Sequence, residues 1–166
     1  MGVGKTVWAK SPTFEEYQVK AAFLYYFGKF VEWPETAFES ANQSFVICVL
    51  GEDPFGKELD AVVRDKSINN RPVLVQRMQD VSDMGTCHLL FVSASEQENI
   101  SEVLRAIKWG GVLTVSEASQ FIEKGGNIQF LFQDNKVRFV INVTSAERAG
   151  LKMSSQLLKL AATRRD

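Results

Sequence analysis

The first long apolar stretch opens at Thr13-Phe14-Glu15-Glu16, a capping-box pattern, and predicts a helix of about five turns that Pro34 stops after Trp33. Its centre is apolar on nearly every face, through Val19, Ala21, Ala22, Phe23, Leu24, Tyr25, Tyr26, Phe27, Phe30 and Val31. One side of a sheet hardly covers so much apolar surface. The helix reads either as a deeply packed core element or as one that also meets a second subunit or a partner. Phe23, Tyr26 and Phe30 are the candidate contact residues.

After Ser44 the pattern changes to short apolar runs: FVICVL (Phe45–Leu50), PVLVQ (72–76), HLLFVS (88–93) and GVLTV (111–115), which predict buried parallel strands. Amphipathic segments separate them. Asp53-Pro54 opens one, with Phe55, Leu59, Val62 and Val63 on a stripe, and Ser95-Glu96-Gln97-Glu98 caps another carrying Ile100, Val103, Leu104 and Ile107. Ser116 is expected to cap a shorter helix through Phe121 and Ile122, ended by Gly125-Gly126.

NIQFLFQ and KVRFVINV then flank Asp134-Asn135, two residues that tolerate positive φ, and predict a two-residue β-hairpin. With Gln133 opposite Lys136, Phe132 faces Val137, Phe130 faces Phe139 and Ile128 faces Ile141, so one face is uniformly apolar. This hairpin is expected to close one edge of the sheet. A last helix runs from about Ser154 through Leu157, Leu158 and Leu160 to Ala161, ahead of an exposed tail at 163–166.

Alternating strand and helix predicts an α/β fold of three layers. A mostly parallel sheet of about six strands, with a C-terminal antiparallel β-hairpin, is flanked by helices in a Rossmann-like or flavodoxin-like arrangement. Residues 13–163 form a single domain, and residues 1–12 a disordered N-terminal segment.

Composition removes several classes of function. At 166 residues the chain is one domain, and 19 Lys plus Arg against 20 Asp plus Glu leave no field to attract nucleic acid. The longest apolar run, residues 21–27, is far short of the roughly 20 residues a membrane-spanning helix needs, so no direct membrane insertion is expected. MGVGKTVWAKSP holds no secretory apolar stretch, which a mature exported chain would also lack. Two cysteines, Cys48 and Cys87, fit either one disulfide in an oxidising compartment or two quiet thiols.

Candidate chemistry is sparse. His88 is the sole histidine, so neither a catalytic triad nor a multi-histidine metal site can form, and no metal or cofactor is expected. Gly2-Val3-Gly4-Lys5-Thr6 lacks the strand that a phosphate loop requires before it. Glu52-Asp53 resembles the metal-holding acids of a phosphoreceiver domain, but the third strand ends Val92-Ser93-Ala94, with no acid to phosphorylate. Glu15, Glu16, Glu96, Glu98 and Glu102 fall on helix caps and solvent faces. The chain reads as a non-enzyme.

Several long stretches together resemble the YfiR/HmsC family over about 16–162: EYQVKAAFLYYFGKFVEWP (16–34), FVICVLGEDPFG (45–56), CHLLFVS (87–93), VLTVSEASQF (112–121), GGNIQF (125–130) and VRFVINVTSAERAGLKMSSQLLKLA (137–161). The resemblance implies a periplasmic, non-enzymatic regulator that binds the periplasmic sensory part of an inner-membrane diguanylate cyclase and holds cyclic-di-GMP synthesis down. It further implies sequestration by an OmpA-like outer-membrane lipoprotein, a homodimer, and pairing of Cys48 with Cys87 as a disulfide. A second cysteine pair found in some members is absent here.

A small-molecule-sensing domain is the second reading, with a pocket outside the carboxyl ends of the strands. Arg148, Lys152 and Ser154 are its candidate residues, a cationic pair and a hydroxyl after the hairpin. The plainer role for Arg148 is to pin the C-terminal turn.

Overall fold

The computed structural model describes residues 14–107 and 110–165. The proposed cap Thr13, the glycine-rich stretch at 2–6 and the segment expected to be disordered lie outside them. Helix α1 (Phe14–Phe30) is followed by β1 (Val31–Glu32), β2 (Phe45–Leu50), α2 (Lys57–Val63), β3 (Ser67–Ile68), β4 (Arg71–Met78) and β5 (Leu89–Val92). Then come α3 (Ile100–Ala106), β6 (Leu113–Ser116), β7 (Ile128–Gln133), β8 (Lys136–Asn142), α4 (Val143–Arg148), β9 (Lys152–Met153), α5 (Ser155–Leu160) and β10 (Thr163–Arg165).

The main sheet has the order β10-β8-β7-β6-β5-β2-β4-β3. Its centre, β4-β2-β5-β6-β7, is parallel throughout, and the β7–β8 hairpin is antiparallel. All six residues of β2 and all four of β5 are buried, as a strand covered on both faces requires. Phe45, Ile47, Val49, Leu89 and Phe91 enter one core with α1, α2 and α5, while Val46, Cys48, Leu50, Leu90 and Val92 enter a second with α3. These are the three layers expected.

Hairpin register agrees with the pairing arithmetic at every position from Ile128–Ile141 to Gln133–Lys136. Asp134 and Asn135 have φ of 52° and 64°. The hairpin does not close the edge, however: residues 163–165, expected as an exposed tail, form β10 parallel to the outer side of β8. Helix α1 also ends three residues early, because Val31 and Glu32 leave it to pair with Met153 and Lys152 of β9. The helix expected after Ser116 does not form. The Ser116 hydroxyl instead donates to the Val92 carbonyl and accepts from the Ala118 N–H, and Gln120 turns to φ 64°, which a helix cannot contain.

The structure joins Cys48 and Cys87 in a disulfide on the α3 side of the sheet, with Cα atoms 5.9 Å apart. The bridge ties β2 to the residues leading into its neighbour β5. Beside it, His88 is a fully satisfied core residue: Nδ1 accepts from the Val46 N–H at 3.0 Å, which leaves Nε2–H to donate to the Ala37 carbonyl at 3.1 Å. Burial lowers the His88 pKa below the ordinary histidine value, against an opposing contribution from the Ala37 carbonyl.

Two outcomes follow. Closing 39 residues of chain restricts the unfolded state, so the Cys48→Ala/Cys87→Ala protein loses up to about 4 kcal/mol of stability on the chain-entropy model, measured as a lower urea midpoint; an unchanged midpoint would sink this account. Because His88 is held neutral in the fold, unfolding takes up a proton below about pH 6.5. Stability is therefore full above that pH and falls as pH drops toward the folded value, by at most about 1.4 kcal/mol per pH unit. In thermal unfolding followed from about pH 7.5 to about pH 5.5, His88→Asn, whose amide oxygen still accepts from Val46, shows a shallower decline than the parent. Equal slopes would assign the decline to other groups.

Candidate functional site

Doubly wound sheets hold ligands beyond the carboxyl ends of their strands, where neighbouring strands send their connections to opposite faces. In this sheet that point lies between β2 and β5. The loops that border it touch each other: Ser95 Oγ accepts from the Glu52 N–H at 3.0 Å, and a Cβ on Gly51 would lie 2.6 Å from the same oxygen. Gly51 has a φ of 96°, so its backbone, too, suits no other residue. Asp53 serves the turn itself, one carboxylate oxygen accepting from the Phe55 N–H and the other ion-paired with Arg77 at 2.7 Å.

A buried charge cluster stands at the carboxyl end of β6. Lys20, only 3 % exposed, sits between Glu16 at 2.5 Å and Glu117 at 2.6 Å, and the Tyr17 hydroxyl donates to Glu117 at 3.1 Å. Burial, with Glu117 behind it, pushes the Tyr17 hydroxyl above its usual range, which keeps it protonated as a donor. Glu16 thus differs from its expected solvent-facing role. Sequence gave no warning of this cluster, since Lys20 and Glu117 lie 97 residues apart. Its chemistry is that of a clamp, fixing the first turns of α1 to the loop that leaves β6.

Arg148, Lys152 and Ser154 do not converge on one cavity. Ser154 Oγ accepts from the Leu157 N–H at 3.1 Å and caps α5, while Lys152 lies in β9 opposite Glu32. Arg148, the last residue of α4, is exposed and makes no ion pair or hydrogen bond with the described residues, so it does not pin the turn. It lines a cavity of about 280 Å³ together with Thr114, Asn127 and Ser145. Those three bond to one another: Asn127 Oδ1 accepts from the Thr114 N–H at 2.8 Å, and its amide donates to Ser145 Oγ at 2.9 Å. The cavity sits near the amino end of β6, at the end of the sheet opposite the one expected.

The α1 residues present a different kind of site. Phe23, Phe27, Phe130 and Phe139 form one aromatic group with centroids 5.1–6.2 Å apart, so Phe23 is half-buried and anchored. Tyr26 is 48 % exposed and lies 6.3 Å from the Phe30 ring. Val19, 44 % exposed, extends the line, because positions 19, 23, 26 and 30 share one helix face. Phe132 at the hairpin tip, 50 % exposed, faces Val19 and Phe23 across a groove of about 550 Å³. Glu15 and Lys136 stand on its rim. Val19 and Phe132 were missing from the sequence-derived contact set, although the hairpin register already placed Phe132 on an apolar face.

Among the described residues no helix is long and apolar enough to cross a membrane. The disulfide is consistent with the periplasm. No curated protein matches the chain. The crystal structure of a conserved domain protein from Vibrio cholerae O1 biovar El Tor is similar with a TM-score of 0.54 and 13% identity, over 72% of this chain and 54% of that one. That likeness concerns the fold, and this chain spans about half the length of that protein. The model of the YfiR/HmsC-like family matches residues 17–162, from the first turn of α1 to the residue before β10, and the chain belongs to that family.

Proposed function

We propose that this chain is a periplasmic protein-binding repressor that restrains an inner-membrane diguanylate cyclase by binding its periplasmic sensory domain. In this reading an OmpA-like outer-membrane lipoprotein sequesters it, and it works as a homodimer. Family membership suggests the coarser part, a periplasmic regulator of diguanylate cyclase signalling that is regulatory rather than catalytic. The observation that carries the finer part is the apolar face of α1. Val19, Phe23, Tyr26 and Phe30, with Phe132 beside them, give exposed aromatic area on a rigid support. Anchored aromatics with a charged rim are the composition of an interface centre rather than of an ordinary solvated face.

A second reading, a small-molecule-sensing domain, draws support from the Arg148 cavity, where a guanidinium with no ion pair among the described residues shares a mixed lining with Thr114, Asn127, Ser145, Leu104 and Val112. Ligand binding and partner binding can be coupled through differential affinity for two states.

Val19→Glu and Tyr26→Glu place charge on exposed positions and leave the core intact. Each is expected to lower co-purification of a GGDEF-containing protein from the organism's solubilised inner membranes at least about tenfold, equivalent to about 1.4 kcal/mol, and to fail to lower cyclic-di-GMP in a strain lacking the gene. Wild-type-like capture and repression by both variants would remove α1 as the binding face. For the second reading, millimolar carboxylate or phosphate metabolites are expected to raise the Tm of the wild type and not of Arg148→Ala. Identical shifts in the two proteins would dismiss that cavity.

A further inference from the structure

Between β1 and β2 the chain runs through a strap, residues 34–44, that forms no strand and only one 3-10 turn, Glu35–Ala37. Its backbone bonds are local: the Ala37 N–H donates to the Pro34 carbonyl, Phe38 to Glu35 and Gln43 to Ser40. Among the described residues, two side chains of the body hold it by hydrogen bonds. The His88 Nε2–H donates to the Ala37 carbonyl at 3.1 Å, and Arg71 Nη1 donates to the Ser40 and Gln43 carbonyls at 2.9 and 2.8 Å. The same two residues clasp the strap's one aromatic ring. Phe38 lies against the His88 imidazole, with centroids 4.3 Å apart and planes 20° from parallel, and the Arg71 guanidinium stands 3.7 Å from the Phe38 centroid. Two groups that close cannot share one face, so Phe38 is sandwiched between them.

Only a neutral imidazole fits this arrangement. Nδ1 accepts from the buried Val46 N–H at 3.0 Å, and a second ring proton would set N–H against N–H there, with no acceptor in place of the lone pair. Attraction of an imidazolium to Phe38 does not offset this, because Arg71 already draws on the same ring from its other face and repels a second cation. Burial and the Arg71 charge both hold the ring neutral. On its remaining side Phe45 stacks at 5.4 Å, and β2, β5 and β6 bring no charged residue. The strap's own acids, Glu35 and Glu39, are exposed.

A conflict at Nδ1 can be relieved from either side, and what holds each side decides which gives way. Val46 belongs to a strand paired on both edges, its carbonyl accepts from the His88 N–H at 2.9 Å, and the Cys48–Cys87 bridge stands beside both residues. The ring has only Ala37 and the Phe38 stack to keep it in its slot. We propose that residues 34–44 are an acid-released strap: protonation drives the His88 ring out of its slot, which frees the Ala37 carbonyl and the Phe38 ring together and opens the strap while the sheet stays folded. Phe45, 1 % exposed and edge-on to Trp33 at 4.9 Å, loses its cover in the open form. The effect of acid on His88 is thus felt first at the strap, and only at lower pH by the fold as a whole.

The test uses the intact, disulfide-bonded protein. His88 is the sole histidine, so a histidine-selective proton–nitrogen NMR spectrum follows its ring alone. Strap opening is read as cleavage after Glu35 and Glu39 by a glutamate-specific protease, each rate divided by that of a free peptide of residues 30–44 at the same pH. Between about pH 7.5 and about pH 5.5 this relative rate is expected to rise at least about threefold as the ring protonates, since an opening that takes up one proton grows by up to about tenfold per pH unit. Amides of β2 and β5 keep their hydrogen-exchange protection over the same range. His88→Asn retains an acceptor for Val46 but cannot titrate, so its relative rate is expected to be equal at both pH values. Arg71→Gln, a change at a half-buried position, is expected to raise the pH at which the ring protonates and to move the cleavage rise with it. Ring protonation without faster cleavage overturns the proposal, as does an equal rise in His88→Asn or a rise in Arg71→Gln that does not follow the ring. Loss of β2 and β5 protection in step with cleavage also overturns it, because the event is then global unfolding.

Discussion

The burial of β2 on both faces is the constraint from which the rest of the architecture follows. A strand with six consecutive buried residues needs a complete layer on each side, and its parallel neighbours need crossovers long enough to be helices. Helix α3 supplies one side. On the other, a single long helix, α1, together with α2 and α5, must reach from β4 to β8, across five strand spacings or about 24 Å. A helix about 10 Å wide cannot span that distance with aliphatic side chains. The large rings of Phe23 and Phe27, meeting Phe130 and Phe139 from the hairpin, extend its reach. A helix loaded with aromatics to cover a wide sheet has apolar residues left over on its outer side, and here those leftovers form the candidate interface.

Local signals were legible where the relevant physics is local. The hairpin register followed from side-chain alternation and two turn residues. The elements that went unseen are those held by partners far along the chain. Two-residue strands such as β1 and β9 carry no periodicity of their own; they exist because Val31 and Met153 are brought side by side by α1 and α4. Ser116 shows the opposite failure. Its hydroxyl caps two residues ahead, as at a helix start, but Val92 already claims its proton and Gln120 turns left-handed. The sequence signal for a side-chain turn and that for a helix cap are the same residue type.

The site residues divide along the same line. Phe23, Tyr26 and Phe30 were readable because their spacing on one helix is fixed by the helix itself. Arg148, Lys152 and Ser154 are close in sequence, but the turn from α4 through β9 to α5 sends each side chain elsewhere: to a cavity rim, to a strand opposite Glu32, and to a helix cap. Proximity in sequence predicts a shared site only within one element. Lys20 and Glu117 show the converse, two charges whose pairing only the folded sheet brings about and whose burial leaves α1 fixed in orientation.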